Sequence, residues 1–111
     1  MIKQISGQKL KEYIDNREKL LIIEALPEKY YSEAHIPGAI QIDYTELELK
    51  ADKLPEEKNK MIVVYCAGKE CQNSIITARQ LDSLGYTNVY EYERGKQDWV
   101  EAGYPIENTI K

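Results

Sequence analysis

The sequence is poor in cysteine and histidine, with two cysteines and one histidine among 111 residues, and it contains no phenylalanine. Two cysteines cannot build the disulfide frameworks that hold small secreted domains together, and a chain of this length can bury a core without them. We therefore expect one domain over residues 1–111, located in the cytoplasm, with two free thiols. The core aromatics must come from nine tyrosines and Trp99.

Long apolar runs and an excess of positive charge are also missing. No stretch is long enough to span a bilayer, and residues 1–7 lack the apolar segment of a signal peptide. The formal net charge is −4, whereas contact with phosphates needs a concentrated lysine and arginine surface. We expect neither nucleic acid nor a membrane as a partner.

What the sequence does contain is a regular alternation of apolar runs and helical patterns. Five β-prone runs predict strands at residues 2–5, 20–23, 39–42, 61–65 and 88–92. Helical spacing predicts helices that begin after Ser6, over 27–34, over 44–53, over 74–84 and around Trp99. Strands and helices in alternation predict an α/β domain whose mainly parallel sheet, of about five strands, has helices on both faces.

Cys66 closes the most apolar predicted strand, and a short loop leads from it into the helix at 74–84. In open parallel sheets, binding sites gather at the carboxyl ends of the strands. We expect the backbone amides of 68–71 and the positive end of the helix to converge on an anion such as a thiolate or persulfide. Such donors lower the pKa of a thiol, which favours a nucleophile; a buried, inert core cysteine is the alternative.

Three parts of the chain resemble the rhodanese-like domain family. Residues 24–39, with the turn His35-Ile36-Pro37-Gly38, resemble the first signature of the family. Residues 63–66 resemble the strand that leads into its active cysteine, and residues 84–105 resemble its closing signature. Each match is weak alone, but the three occur in order and at the right separations over nearly the whole chain.

The resemblance implies a three-layer rhodanese fold and a sulfurtransferase that requires no cofactor or metal. By matching position, Cys66 would take sulfane sulfur from thiosulfate or a persulfide. It would then pass that sulfur to cyanide or to a thiol, including a thiol carried by a protein. The loop that would hold the persulfide consists of Ala67, Gly68, Lys69, Glu70, Cys71 and Gln72.

The sequence departs from the family pattern at three places. Glu24-Ala25-Leu26 replaces the common Asp-x-Arg, and Arg94-Gly95 replaces the usual Gly-Gly pair. Arg94 is a candidate for electrostatic support of the loop, with a solvated side chain as the alternative. The loop is about two residues longer than in most members. No arginine lies between Cys66 and Arg79, so the oxyanion clamp of the phosphatase and arsenate-reductase relatives is missing.

The second cysteine, Cys71, has three possible roles. It could act as a resolving thiol that closes a disulfide with Cys66, it could pack without chemistry, or the pair could ligate a metal with His35. Metal is the weakest of these, and we interpret His35 as part of a structural turn. Two other functions therefore compete with sulfur transfer: a non-catalytic binding or sensing module, and a Cys66–Cys71 redox switch.

Overall fold

The computed structural model describes residues 2–109 and contains five parallel strands and four helices. The strands are β1 (Lys3–Gln4), β2 (Leu21–Glu24), β3 (Ile40–Gln41), β4 (Ile62–Tyr65) and β5 (Val89–Tyr92). The helices are α1 (Gly7–Asp15), α2 (Glu28–Glu33), α3 (Asn73–Ser83) and α4 (Gly95–Glu101). The strand order is β1-β5-β4-β2-β3, so the predicted α/β class and parallel sheet are confirmed.

Two apolar clusters cover the two faces of the sheet. On one face, the side chains of Ile62 and Val64 pack with Ala78 and Leu81 of α3. On the other face, Val63 and Tyr65 pack with residues of α1 and α4, which include Leu10 and Trp99. Alternate residues of β4 therefore point to opposite layers, as the pleat of a strand requires. All four residues of β4 are buried because this strand lies in the middle of the sheet.

The start and end signals of several elements behave as the sequence indicates. The Ser6 hydroxyl accepts the Lys9 backbone N–H at 3.1 Å, which caps α1. Gly85 follows α3 with a φ of +96°, and Gly38 closes the turn after His35 with a φ of +85°. Both values lie in the left-handed region that glycine adopts without steric cost.

The predicted helix at 44–53 is wrong. The chain instead forms two short 3₁₀ turns, Tyr44–Glu46 and Ala51–Lys53. Asp43 caps the first turn and Glu46 reaches back to the Asp43 backbone, but the 3₁₀ turn ends at Glu46. Leu47 is buried against the core, whereas Leu49 is 85% exposed, so no apolar stripe holds a longer helix.

Candidate functional site at the end of β4

Cys66 follows the last residue of β4, and its side chain is fully buried. It lies on the α3 side of the sheet, beneath the first turn of that helix. Its Sγ is 3.3 Å from the Ser74 hydroxyl and 3.4 Å from the backbone carbonyl of Cys71. The Cys66 thiol has a single S–H, which can donate to one of these two acceptors at a time.

The pKa of the Cys66 thiol is raised to about 11, mainly by burial; the neighbouring Cys71 acts in the same direction, while Ser74 acts in the opposite direction. The sequence had indicated a lowered pKa, so the direction of that expectation is wrong. The physical reason is that the thiolate would lose its hydration at this depth without gaining enough donors in return.

The loop amides do not all turn toward Cys66. The Cys71 N–H is bonded to the Gly68 carbonyl at 3.0 Å, which closes a turn inside the loop. That turn directs the Cys71 carbonyl, and not its N–H, at the Cys66 sulfur. The expected convergence of all amides of 68–71 on one anion is therefore absent in this conformation, because the Cys71 N–H is already bonded within the loop.

The start of α4 fixes the beginning of the loop. The Lys96 N–H donates to the Cys66 carbonyl at 2.8 Å, and the Gln97 N–H donates to the Ala67 carbonyl at 2.9 Å. Gly95 has a φ of +63°, and a Cβ atom there would lie 2.4 Å from the Cys66 carbonyl oxygen. Only glycine allows the two backbones to approach so closely.

The remaining loop residues form an open surface above the buried sulfur. Lys69, Glu70 and Gln72 are exposed, whereas Cys71 is half-buried. A cleft of about 470 Å³ is lined by Ala67, Gly68, Lys69, Glu70, Cys71 and Gln97. A second cleft, of about 420 Å³, shares Ala67 and continues over the apolar side chains of Leu26, Tyr30 and Val100.

Two other candidates from the sequence lie against partners of their own. The Arg94 guanidinium is exposed and 3.9 Å from Asp98, so an acidic neighbour offsets the charge that it could offer the loop. His35 stacks on the Tyr31 ring, with its Nδ1 2.9 Å from the Tyr31 carbonyl and its Nε2 3.7 Å from Glu107. Its backbone also pairs with Glu107.

Sequence reasoning missed a polar network on the opposite face of the sheet. The Lys96 ammonium is 3.0 Å from Glu24 Oε2, and the Tyr65 hydroxyl donates to Glu24 Oε1 at 2.7 Å. The same hydroxyl accepts the Ile36 N–H at 3.0 Å. Burial raises the pKa of Glu24, and the bonds from Tyr65 and Lys96 oppose that rise. An acidic residue at the end of an apolar strand was the available signal.

Sequence reasoning also missed the residues that are hydrogen-bonded in sequence from the Cys66 sulfur. The Ser74 hydroxyl, which accepts from Cys66, donates to Glu91 Oε2 at 2.8 Å. The Gln4 amide donates to Glu91 Oε1, also at 2.8 Å. The signal in the sequence is again an acidic residue, Glu91, inside a β-prone run.

Metal and membrane features are absent from the part of the chain that the structure describes. Within residues 2–109, no group of three or more histidine, cysteine, aspartate or glutamate side chains is arranged to hold a metal ion. None of the helices in that range has both the length and the apolar character needed to cross a membrane.

Comparison with known proteins gives a consistent picture. The model of the rhodanese-like domain matches residues 6–102. The "Putative sulfur carrier protein YrkF" of Bacillus subtilis is 29% identical over 98 residues, which cover 88% of this chain and 51% of that protein. The "Putative sulfurtransferase YtwF" of the same species is 31% identical over 98 residues, which cover 88% and 90% of the two chains.

Solved structures give the same result. The BH2092 protein from Bacillus halodurans has a TM-score of 0.87 and 26% identity, over 96% of this chain and 77% of that one. The matched part is in several cases a fraction of a larger protein: the chain spans from 23% to 51% of the length of three curated relatives.

Proposed function

This chain belongs to the rhodanese-like domain family, and we propose that it is a sulfurtransferase in which Cys66 carries sulfane sulfur as a persulfide. The family and its sulfur-carrier and sulfurtransferase relatives support a role in sulfur transfer. The observation that carries the residue assignment is the position of Cys66, at the carboxyl end of the central strand and before the loop and helix.

The proposed reaction has two steps. In the first, the Cys66 thiolate attacks the outer sulfur of a donor persulfide or of thiosulfate, and the donor leaves as a thiol or as sulfite. In the second, a thiol or cyanide attacks the outer sulfur of the Cys66 persulfide, and the Cys66 sulfur leaves as a thiolate. Sulfur moves in each step without a net external oxidant.

The burial of Cys66 requires the loop to open before a donor can reach the sulfur. The cleft lined by 67–71 and Gln97 lies directly over the loop backbone and is the proposed entrance. Its charged side chains are Lys69 and Glu70, of opposite sign, which favours a persulfide donor over a doubly charged oxyanion such as thiosulfate.

Intact mass spectrometry tests the proposal. We expect the protein to gain one sulfur atom after incubation with a low-molecular-weight persulfide, and to lose it when cyanide is added. Cys66→Ala should abolish the gain, and Cys71→Ser, which removes the other cysteine, should retain it. If the wild-type protein gains no sulfur, or if Cys66→Ala still gains it, the proposal is wrong.

A second candidate is a redox switch, which is favoured by the position of the two cysteines in one loop, where the Cys66 sulfur is 3.4 Å from the Cys71 backbone carbonyl. Peroxide would oxidise the two thiols to one disulfide and would itself be reduced to water. Mild peroxide should then remove two hydrogens from the intact mass, and Cys71→Ser should prevent this loss. An unchanged mass in the wild-type protein would exclude the switch.

A further inference from the structure

A continuous row of hydrogen bonds runs from the Cys66 sulfur across the sheet to its far edge. Cys66 Sγ is 3.3 Å from Ser74 Oγ, and Ser74 Oγ is 2.8 Å from Glu91 Oε2. The second carboxylate oxygen, Oε1, accepts the Gln4 amide at 2.8 Å. Because Ser74 donates to Glu91, its oxygen is free to accept the Cys66 proton.

The buried carboxylate at the end of this row has unusual partners. Glu91 is 4% exposed, and among residues 2–109 it forms no ion pair with a lysine, arginine or histidine. Its partners are the uncharged groups of Ser74 and Gln4. Because its partners among residues 2–109 are uncharged, this buried carboxylate can take up a proton without breaking an ion pair there.

We propose that Glu91 is a remote proton acceptor for Cys66, acting through Ser74. The Cys66 proton moves to Ser74 Oγ while the Ser74 hydroxyl proton moves to Glu91 Oε2. The transfer accompanies the attack of the Cys66 sulfur on the donor, because a carboxylate is a much weaker base than a free thiolate. The products are the new sulfur–sulfur bond of Cys66, a neutral Ser74 hydroxyl, a protonated Glu91 and the departing donor thiolate or sulfite. No external oxidant is needed.

This inference rests on the proposed function, because the row of hydrogen bonds removes the proton from Cys66 when its sulfur attacks the donor. When the Cys66 persulfide later gives its outer sulfur to an acceptor, the Cys66 thiolate that remains takes the proton back along the same row. A thiol whose pKa is raised to about 11 is almost fully protonated at neutral pH. Its proton must therefore be removed when the sulfur attacks, and Glu91 is placed to receive it.

The groups around this row of hydrogen bonds come from the loop, helix α3 and strand β1. The loop contributes Cys71, which is the other titratable group at the Cys66 sulfur. Helix α3 contributes the Ser74 hydroxyl and strand β1 contributes the Gln4 amide, neither of which carries a charge. Lys3, next to Gln4, is turned to Asn88 and the Tyr90 ring.

Alkylation of Cys66 by iodoacetamide measures how readily the thiolate forms, and it requires no sulfur donor. The experiment uses Cys71→Ser as the parent, in which Cys66 is the only cysteine, and follows intact mass from pH 6 to pH 11. Glu91→Gln tests the proton acceptor. Glu93→Gln is the matched control, because it makes the same change at an exposed position two residues away.

We expect Glu91→Gln to slow alkylation at least about tenfold between pH 7 and pH 9, because general-base assistance is lost. The two rates should converge at the upper end of this pH range, where the Cys66 thiol ionises without help. If Glu91 acted only as a nearby negative charge, its removal would favour the thiolate and the rate would rise. A faster rate, an unchanged rate, or a loss that persists equally at pH 11 would each overturn the proposal.

Ser74→Ala provides a second test if Glu91→Gln does not fold. It interrupts the row by removing one oxygen, and we expect the same slowing with the same convergence near pH 11. The double variant should be no slower than either single one, because the two residues act in sequence. A normal rate in Ser74→Ala would refute the row. Failure of persulfide loading with normal alkylation would instead refute the proposed function alone.

Discussion

Glu24 and Glu91 are buried carboxylates on strands of one sheet, but they lie on opposite faces and have opposite kinds of partner. Glu24, on the α4 face, is bonded to the Lys96 ammonium and the Tyr65 hydroxyl. Glu91, on the α3 face, is bonded to two uncharged groups and is one hydroxyl away from the Cys66 thiol. A carboxylate with its own cation is suited to holding elements together. A carboxylate without one keeps the ability to accept a proton.

The start of α4 connects the two faces. Lys96 holds Glu24 with its side chain and the Cys66 carbonyl with its backbone N–H. An ion pair therefore joins β2 to α4, and its two residues are 72 positions apart in the sequence. We expect changes at Glu24 and its partners to lower the free energy of unfolding most. Changes at Glu91 and its partners should mainly alter the reactivity of the Cys66 thiol.

The largest effect on stability should come from Lys96→Met, which leaves Glu24 buried without its cation. We expect the free energy of unfolding to fall by about 3 kcal/mol at pH 8, because an unpaired buried charge is strongly destabilising. The fall should be smaller at pH 5. Burial raises the pKa of Glu24 in the folded protein above its value in the unfolded chain. Lowering the pH therefore protonates Glu24 more readily in the folded protein, and a neutral Glu24 needs no cation. The stability that this group contributes is lost as the pH rises through the raised pKa.

Urea unfolding at the two pH values checks this expectation. Lys9→Met is the matched control, since it breaks an exposed ion pair with Glu12 and should cost no more than about 0.5 kcal/mol. A loss for Lys96→Met that equals the control, or that is the same at both pH values, would show that Glu24 does not depend on its cation.

A loss of similar size should come from Gly95→Ala, at the point where the start of α4 contacts the loop after β4. The new Cβ would collide with the Cys66 carbonyl oxygen, and the positive φ adds backbone strain, so we expect a loss of about 3 kcal/mol. Gly85→Ala has a similar φ but meets no atom within 4 Å, so it should cost only about 1 kcal/mol. Thermal or urea unfolding gives both values, and equal losses would mean that the loop contact contributes nothing.

The smallest effect on stability should come from Glu91→Gln, despite its burial. The amide oxygen can still accept the Ser74 hydroxyl, and no cation is stranded, so we expect a change of about 1 kcal/mol or less. Glu93→Gln again serves as the exposed control in the same unfolding measurement. A loss for Glu91→Gln as large as that for Lys96→Met would remove the distinction between the two carboxylates.

Local patterns in the sequence were enough to predict the fold and the position of Cys66. A continuous apolar run marks β4, a serine caps α1 and a glycine ends α3, and each of these signals acts over a few residues. The helix predicted at 44–53 failed because polar composition alone does not supply an apolar stripe.

The environment of the thiol could not be predicted in the same way. It depends on contacts between distant residues, such as Ser74 with Glu91 and Lys96 with Glu24. It also depends on how a lengthened loop uses its own amides, since the Cys71 N–H closes a turn on Gly68. Neither feature leaves a periodic pattern in the sequence. The sequence alone therefore could not show that the Cys66 pKa is raised and not lowered.

The pairing of β1 with β5 has a consequence for how the protein is made. Gln4 and Glu91 are 87 positions apart, and such long-range parallel pairing is slow to form. A chain is synthesised from its amino terminus, so β4 and Cys66 leave the ribosome before residues 91–97 that enclose them. The nascent chain therefore carries an uncovered Cys66 thiol until residues 91–97 have been made and have packed against it.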